Sequence, residues 1–157
     1  MKAMSKAFIK PSPKDKILIG RQEFCDLPQM GVERIRARID TGAKTSALHA
    51  YNIEVIQGEN GEDLIAFNTH PENRRRKDAP LAVLPFFDRR KVISSNGMRE
   101  ERFLVKLDIQ IGDQMLTTDV TLTSRHKMSF PLLLGRNTLI QGGFVVDVSQ
   151  GYRLSKK

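Results

Sequence analysis

The sequence predicts one all-β domain with a single short helix near its C-terminal end, and three observations carry that expectation. Apolar and polar residues alternate with period two over several stretches, most cleanly at Phe103, Val105, Leu107, Ile109 and Ile111, the pattern of a strand with one buried face. Turn signals separate these stretches, among them Asn60-Gly61, Asn96-Gly97 and Gly112-Asp113. Only "RNTLIQGG" is read as a helix, about two turns ending in glycine.

In chain order, residues 1–15 are polar with two prolines and are expected to form a loose arm, and residues 16–157 the domain. "KILIGRQEF" and "VERIRARI" both alternate and read as a hairpin turning at Pro28 to Gly31. "SALHAYNIEVI" reads as a further strand, followed by a tight Asn60-Gly61 hairpin turn into "LIAFN". Residues 69–80, "THPENRRRKDAP", carry two prolines and four consecutive basic residues and read as a surface loop. "LAVLPFF" and "KVIS" are strand pieces, and the Phe103 to Ile111 strand returns through Gly112-Asp113 as Leu116, Val120 and Leu122. "FPLLLG" is continuously apolar, as for a strand buried on both faces, and "FVVDV" is the last strand.

A chain of 157 residues supports one domain with a substantial core, and its 39% hydrophobic and 28% charged residues are ordinary globular values. The 26 Lys and Arg against 18 Asp and Glu give a formal charge of +8, which suits a polyanionic partner without choosing among nucleic acid, membrane surface and acidic peptide. Aromatic content of 6% with no Trp argues against single-strand nucleic-acid binding, which uses stacking platforms. One cysteine, Cys25, excludes an intrachain disulfide framework and reads as a half-buried strand thiol. No apolar run has the length of a signal peptide or a membrane span, so the expectation is a cytoplasmic protein.

For metal chemistry the residues offer little: His49, His70 and His126 are far apart and no HExxH occurs, so neither a metal nor a cofactor is expected. "DTGAKTS" follows a strand but lacks the Walker spacing, and no GxSxG is present. What remains is Asp40, followed by Thr41, Gly42 and Ala43. Locally, Asp40 is either the aspartate of an Asx turn or a carboxylate projected from a constrained loop.

The downstream "FPLLLGRNTLIQGG", an apolar strand and glycine entering a short helix, pairs with a single Asp-Thr-Gly-Ala in a way that closely resembles the retropepsin family of aspartic proteases. From about Lys16 to Val148 the chain further resembles the bacterial retropepsin-like family labelled "ATP-dependent zinc protease", through "ARIDTGAKTSALHA", "SSNGMREER" and "FPLLLGR". The resemblance implies a closed acid-protease β-barrel, Asp40 as the catalytic acid, and Thr41, Gly42 and Ala43 as its loop. It further implies that Leu133, Leu134, Gly135 and Arg136 support the loop. The zinc and ATP of that label find no residues here.

Aspartic proteolysis needs two carboxylates sharing a proton, and the chain has one Asp-Thr-Gly. A two-fold homodimer would supply the second, and the resemblance implies that Thr41 braces the two loops across the axis while Gly42 offers backbone groups to the peptide. The resemblance also implies a β-hairpin flap over the cleft, and counting back along the strands from "FPLLLG" puts its tip at Ser94, Ser95, Asn96 and Gly97. From Arg74 to Arg102 nine basic residues face four acidic ones, which would favour an acidic or glutamate-rich peptide. The resembling family is associated with ATP-grasp glutamate ligases, which suits such a substrate. The competing expectation is a non-catalytic β module binding an anionic peptide or nucleic acid.

Overall fold

The computed structural model describes residues 15–69, 81–93, 97–123 and 130–155. Among them twelve strands and one α-helix are present: β1 Ile17–Gly20, β2 Gln22–Leu27, β3 Val32–Ile39, β4 Ser46–His49, β5 Tyr51–Gln57, β6 Asp63–Asn68, β7 Leu81–Pro85, β8 Asp88–Ile93, β9 Arg99–Ile111, β10 Gln114–Thr123, β11 Leu132–Leu134, α1 Arg136–Gly142 and β12 Phe144–Asp147. Six strands pair in the order β10-β4-β11-β3-β2-β9, and β9 pairs back to β10, so the sheet closes into a barrel. The expected all-β barrel with one short helix is what the chain forms.

Barrel closure follows from the alternation. Leu104 to Ile111 pair with Gln114 to Thr121 around the Gly112 turn, where φ of +58° selects glycine. Val105, Leu107, Ile109, Val120 and Leu122 point inward and meet Ile35, Ala37, Leu48, Leu132 and Leu134, all of them buried. β11 runs parallel to β3 and antiparallel to β4, so three short strands meet beside residue 40. Leu132 and Leu134 are buried while Leu133 is half-exposed, which corrects the expectation of a strand buried on both faces. Burying Leu132 and Leu134 alone stabilises the barrel by about 2 kcal/mol each.

Three local expectations differ in detail. "KILIGRQEF" is not one strand: it breaks at Arg21, and β1 pairs in parallel with β12 rather than with β3. The break has a physical cause, since the chain near Gly20 is crossed by the C-terminal segment, whose Gln150 carbonyl lies where a Cβ of residue 20 would stand, 2.6 Å away. "SALHAYNIEVI" likewise divides: β4 stays in the barrel, whereas β5 joins β6 and β7 in a separate three-stranded sheet. The β5–β6 connection is a wider loop than a two-residue turn, closed by the Gly58 amide donating to the Glu62 carbonyl at 2.7 Å, with Gly61 at φ +80°.

The β5–β6–β7 sheet contributes Ile65, Phe67 and Ala82 to the same core, so the two sheets share one interior. Phe86 meets Phe103 edge to face at 5.0 Å where they join. Cys25 is fully buried rather than half-buried, and burial, with the nearby charges of Glu23 and Asp26, pushes its thiol far above the ordinary range. It is an inert packing residue.

Candidate active site

β3 delivers Asp40. Its inward residues Ala37 and Ile39 lock the strand against the core, and the ladder continues one step past the strand as the Asp40 amide donates to the Leu134 carbonyl at 2.9 Å. The chain then turns: the Ala43 amide donates to the Asp40 carbonyl at 3.2 Å, and the Gly42 amide donates to Asp40 Oδ1 at 3.0 Å. The carboxylate therefore makes the Asx turn and is also held in one orientation by a backbone donor. A turn residue and an acid presented at a fixed angle have the same geometry here. Asp40 is half-buried, and Thr41 and Gly42 are exposed beside it.

Beneath the loop lie β11 and the start of α1. The Arg136 and Asn137 amides at the start of α1 donate to the Ala43 and Lys44 carbonyls, at 2.8 and 3.1 Å, so otherwise unsatisfied helix N–H groups are used to hold the loop. Arg136 Nη1 donates to the Thr41 carbonyl at 3.2 Å. A Cβ at residue 135 would lie 2.7 Å from Thr45 C and 2.9 Å from the Ala43 carbonyl oxygen. Gly135 is thus the residue that lets strand and loop meet.

A buried hydroxyl chain behind the loop escaped the sequence reading. Ser46 Oγ accepts from the Gly135 amide at 2.9 Å and bonds Thr138 Oγ1 at 2.6 Å, and Thr138 in turn bonds Thr118 Oγ1 at 2.7 Å. The three buried hydroxyls tie β4, α1 and β10 together, and each of them has a partner. Ser46 and Thr118 stand at inward positions of alternating strands, which was the available signal.

Beside Thr41 opens a mostly apolar cavity of about 440 Å3, lined by Arg136, Leu139, Ile140, Phe144 and Val145 among others. Asp40 does not line it. In the region expected to carry the flap, β8 and β9 pair from Asp88 with Leu104 to Ile93 with Arg99. Ser94, Ser95 and Asn96 lie outside the described residues, and Gly97 is exposed with φ +83°. Part of the basic charge here is internally matched: Arg89 pairs with Glu101 at 2.7 Å, Arg90 with Asp88 at 2.9 Å and Arg102 with Glu100 at 3.2 Å. These pairs hold Asp88 and Glu101 below their usual carboxylate range, chiefly through hydrogen bonds from Arg90 and Arg89. Arg74 to Lys77 lie outside the described residues, as do His70, His126 and nearly all of the N-terminal arm. Among the described residues no three His, Cys, Asp or Glu side chains gather as a metal site, and no helix is long and apolar enough to cross a membrane.

Residues 18–157 match the family described as retropepsin-like aspartic endopeptidase RimB. The chain is 38% identical over 143 residues to a probable alpha-L-glutamate ligase of Shewanella pealeana, covering 91% of this chain and 31% of that protein. It is 34% identical to a protein of the same description from Parasynechococcus marenigrum, over 88% and 29%. It thus spans about a third of the length of these curated relatives. A crystal structure of a Legionella pneumophila protein of unknown function superposes with a TM-score of 0.72 at 28% identity, covering 89% of this chain and 99% of that one. With the family matched from β1 to the end of the chain, around the Asp40 loop and the glycine that supports it, this protein belongs to the RimB-like family of retropepsin-like aspartic endopeptidases.

Proposed function

We propose that the protein is an aspartic endopeptidase that works as a homodimer, with Asp40 from each copy forming one shared active site. The observation that carries this is the fixed Asp40 carboxylate, held by the Gly42 amide on a loop anchored to β11 and α1. Two such carboxylates at a two-fold axis cannot both ionise readily, so they share one proton. The ionised one takes a proton from water as the oxygen attacks the peptide carbonyl carbon, while the protonated one donates to the carbonyl oxygen. Collapse of the tetrahedral intermediate breaks the C–N bond: the departing amine takes up the proton that the first carboxylate took from water, and the second carboxylate regains its own as the carbonyl reforms. Exposed Thr41 is free to reach its copy across the axis, and Gly42 to meet the peptide backbone. The β8–β9 hairpin serves as the lid.

The substrate class follows from charge and from the relatives. A +8 chain favours an acidic peptide, and relatives described as probable alpha-L-glutamate ligases suggest a working link to enzymes that attach glutamate. Cleavage of a glutamate-rich peptide by the wild type should survive EDTA, fall to background in Asp40→Asn, and be blocked by a statine-type peptide. Equal cleavage by wild type and Asp40→Asn would remove Asp40 from the chemistry. Acidic-peptide binding with no cleavage by either protein would favour the non-catalytic binding module.

A further inference from the structure

The peptide unit between Leu134 and Gly135 lies between the end of β3 and the start of β4, and it is held on both sides. Its carbonyl, on Leu134, accepts from the Asp40 amide at 2.9 Å. Its N–H, on Gly135, donates to Ser46 Oγ at 2.9 Å, and the bonds continue from Ser46 to Thr138 Oγ1 at 2.6 Å and on to Thr118 Oγ1 at 2.7 Å. One unbroken line of hydrogen bonds thus joins the interior of β10 to the backbone of Asp40. Ser46, Thr138 and Thr118 are no more than 3% exposed, so water cannot stand in for a lost partner. Packing alone does not call for hydroxyls here, because apolar side chains of the same shape would fill the space at similar stability. What the hydroxyls add is direction: a satisfied buried chain admits one arrangement of its members, and each bond polarises the next.

We propose that Ser46, Thr138 and Thr118 are positioning residues for the Asp40 carboxylate, acting on it through the Leu134–Gly135 peptide. The bond at the Leu134 carbonyl fixes the backbone from which the Asp40 side chain departs, and the Gly42 amide fixes the carboxylate itself. Without the hydroxyl line the peptide is free to tilt about its Asp40 contact, and the carboxylate is then held at one end only. The attacking water and the peptide carbonyl must meet that carboxylate at a defined angle, so the loss falls on the transition state while the substrate still binds. This inference rests on the endopeptidase reading above and adds the residues that set the angle of its acid.

The test separates the bond from the packing at Thr138, since Thr138→Val keeps the shape and drops the hydroxyl whereas Thr138→Ser keeps the hydroxyl and drops a methyl group. With a glutamate-rich peptide, at a temperature where every variant is folded, Thr138→Val should lower kcat about tenfold at unchanged KM. It should weaken a statine-type peptide by a similar factor, and Thr138→Ser should restore most of both. Thr118→Val, one bond further from Asp40, should lose less. Thr69→Val is the control: Thr69 is equally buried, and its hydroxyl donates to the His49 carbonyl at 2.7 Å, outside the line. It should lower the melting temperature and leave kcat at the wild-type value. Wild-type kcat in Thr138→Val would overturn the inference, as would equal losses in Thr138→Val and Thr138→Ser or an equal loss in Thr69→Val. A second measurement does not depend on cleavage: by NMR, the Asp40 amide should exchange with solvent about tenfold faster in Thr138→Val than in wild type, Thr138→Ser or Thr69→Val. If the wild type cleaves no peptide, the endopeptidase reading falls, and the Asp40 exchange rates alone decide whether the hydroxyl line holds that residue, with equal rates overturning it.

Discussion

Replacing Gly135 with alanine tests how the loop is built. The backbone there is extended, with φ −91° and ψ 179°, so alanine meets no conformational penalty of its own. The penalty is spatial. The new Cβ would stand 2.7 Å from Thr45 C, 2.8 Å from Thr45 O and 2.9 Å from Ala43 O, all backbone atoms that cannot rotate away. Restoring ordinary separation of ~3.5 Å requires the loop and the start of α1 to part by about 0.8 Å. That movement costs about 1–3 kcal/mol as overpacking, and it stretches the Arg136 to Ala43 and Asn137 to Lys44 hydrogen bonds as well. For a domain of this size the melting temperature should fall by roughly 2–12 °C. Because the same loop aims Asp40, cleavage should fall by about 100-fold even in the folded protein. Calorimetry and a peptide-cleavage assay at a temperature where the variant is fully folded separate the two effects. A variant with wild-type melting and wild-type turnover would refute the claim that close approach at Gly135 holds the loop.

Two further outcomes follow from hydrogen bonds in the fold. Glu23 is fully buried, and its carboxylate accepts from the amides of Gly20, Arg153, Leu154 and Ser155 and from the Ser155 hydroxyl at 2.6–3.1 Å. Burial alone would raise its pKa, but the Ser155 hydroxyl and these amides outweigh it and hold the group below its ordinary value of 4.5. Glu23→Gln should therefore lose about 2–4 kcal/mol near neutral pH. With a lowered folded pKa, the carboxylate's contribution is complete above pH 4.5 and is lost as pH falls through the folded value, so variant and wild-type stabilities should converge in acid. Denaturant unfolding across pH measures this, and a gap that widens in acid would contradict the assignment. At the site, Asp40→Asn keeps an oxygen for the Gly42 amide and should melt within about 1 °C of the wild type, while Asp40→Ala loses that acceptor and about 1 kcal/mol. Equal melting of the two variants would show that the Asx bond is not needed.

The parts of the fold that local pattern decides were legible in the sequence. The β9–β10 hairpin follows from unbroken alternation around Gly112, and α1 ends as expected at Gly143 with φ +69°. Asp40 and Gly135 were linked only through the resemblance of "ARIDTGAKTSALHA" and "FPLLLGR" to the retropepsin family, since local pattern left Asp40 open between a turn residue and an acid. What the sequence could not announce was strand partnership: β1 and β3 alternate alike, yet β1 pairs with β12, and that choice depends on the C-terminal segment crossing at Gly20. The Glu23 network was hidden for a similar reason. Alternation places Glu23 inward with Cys25 and Leu27, but all its donors except the Gly20 amide lie about 130 residues away, at Arg153 to Ser155. The hydroxyls of Ser46, Thr118 and Thr138 pass for tolerated small residues until packing brings them into one chain.

The proposed shared active site is tested most directly by mixing wild type with Asp40→Asn under conditions of free subunit exchange and measuring peptide cleavage against the fraction of wild type. If each site needs an Asp40 from both copies, only wild-type pairs work, and an equal mixture should retain about a quarter of the activity of the same total amount of wild type. A linear decline to one half would mean that each chain cleaves with its own Asp40 alone, contradicting the dyad.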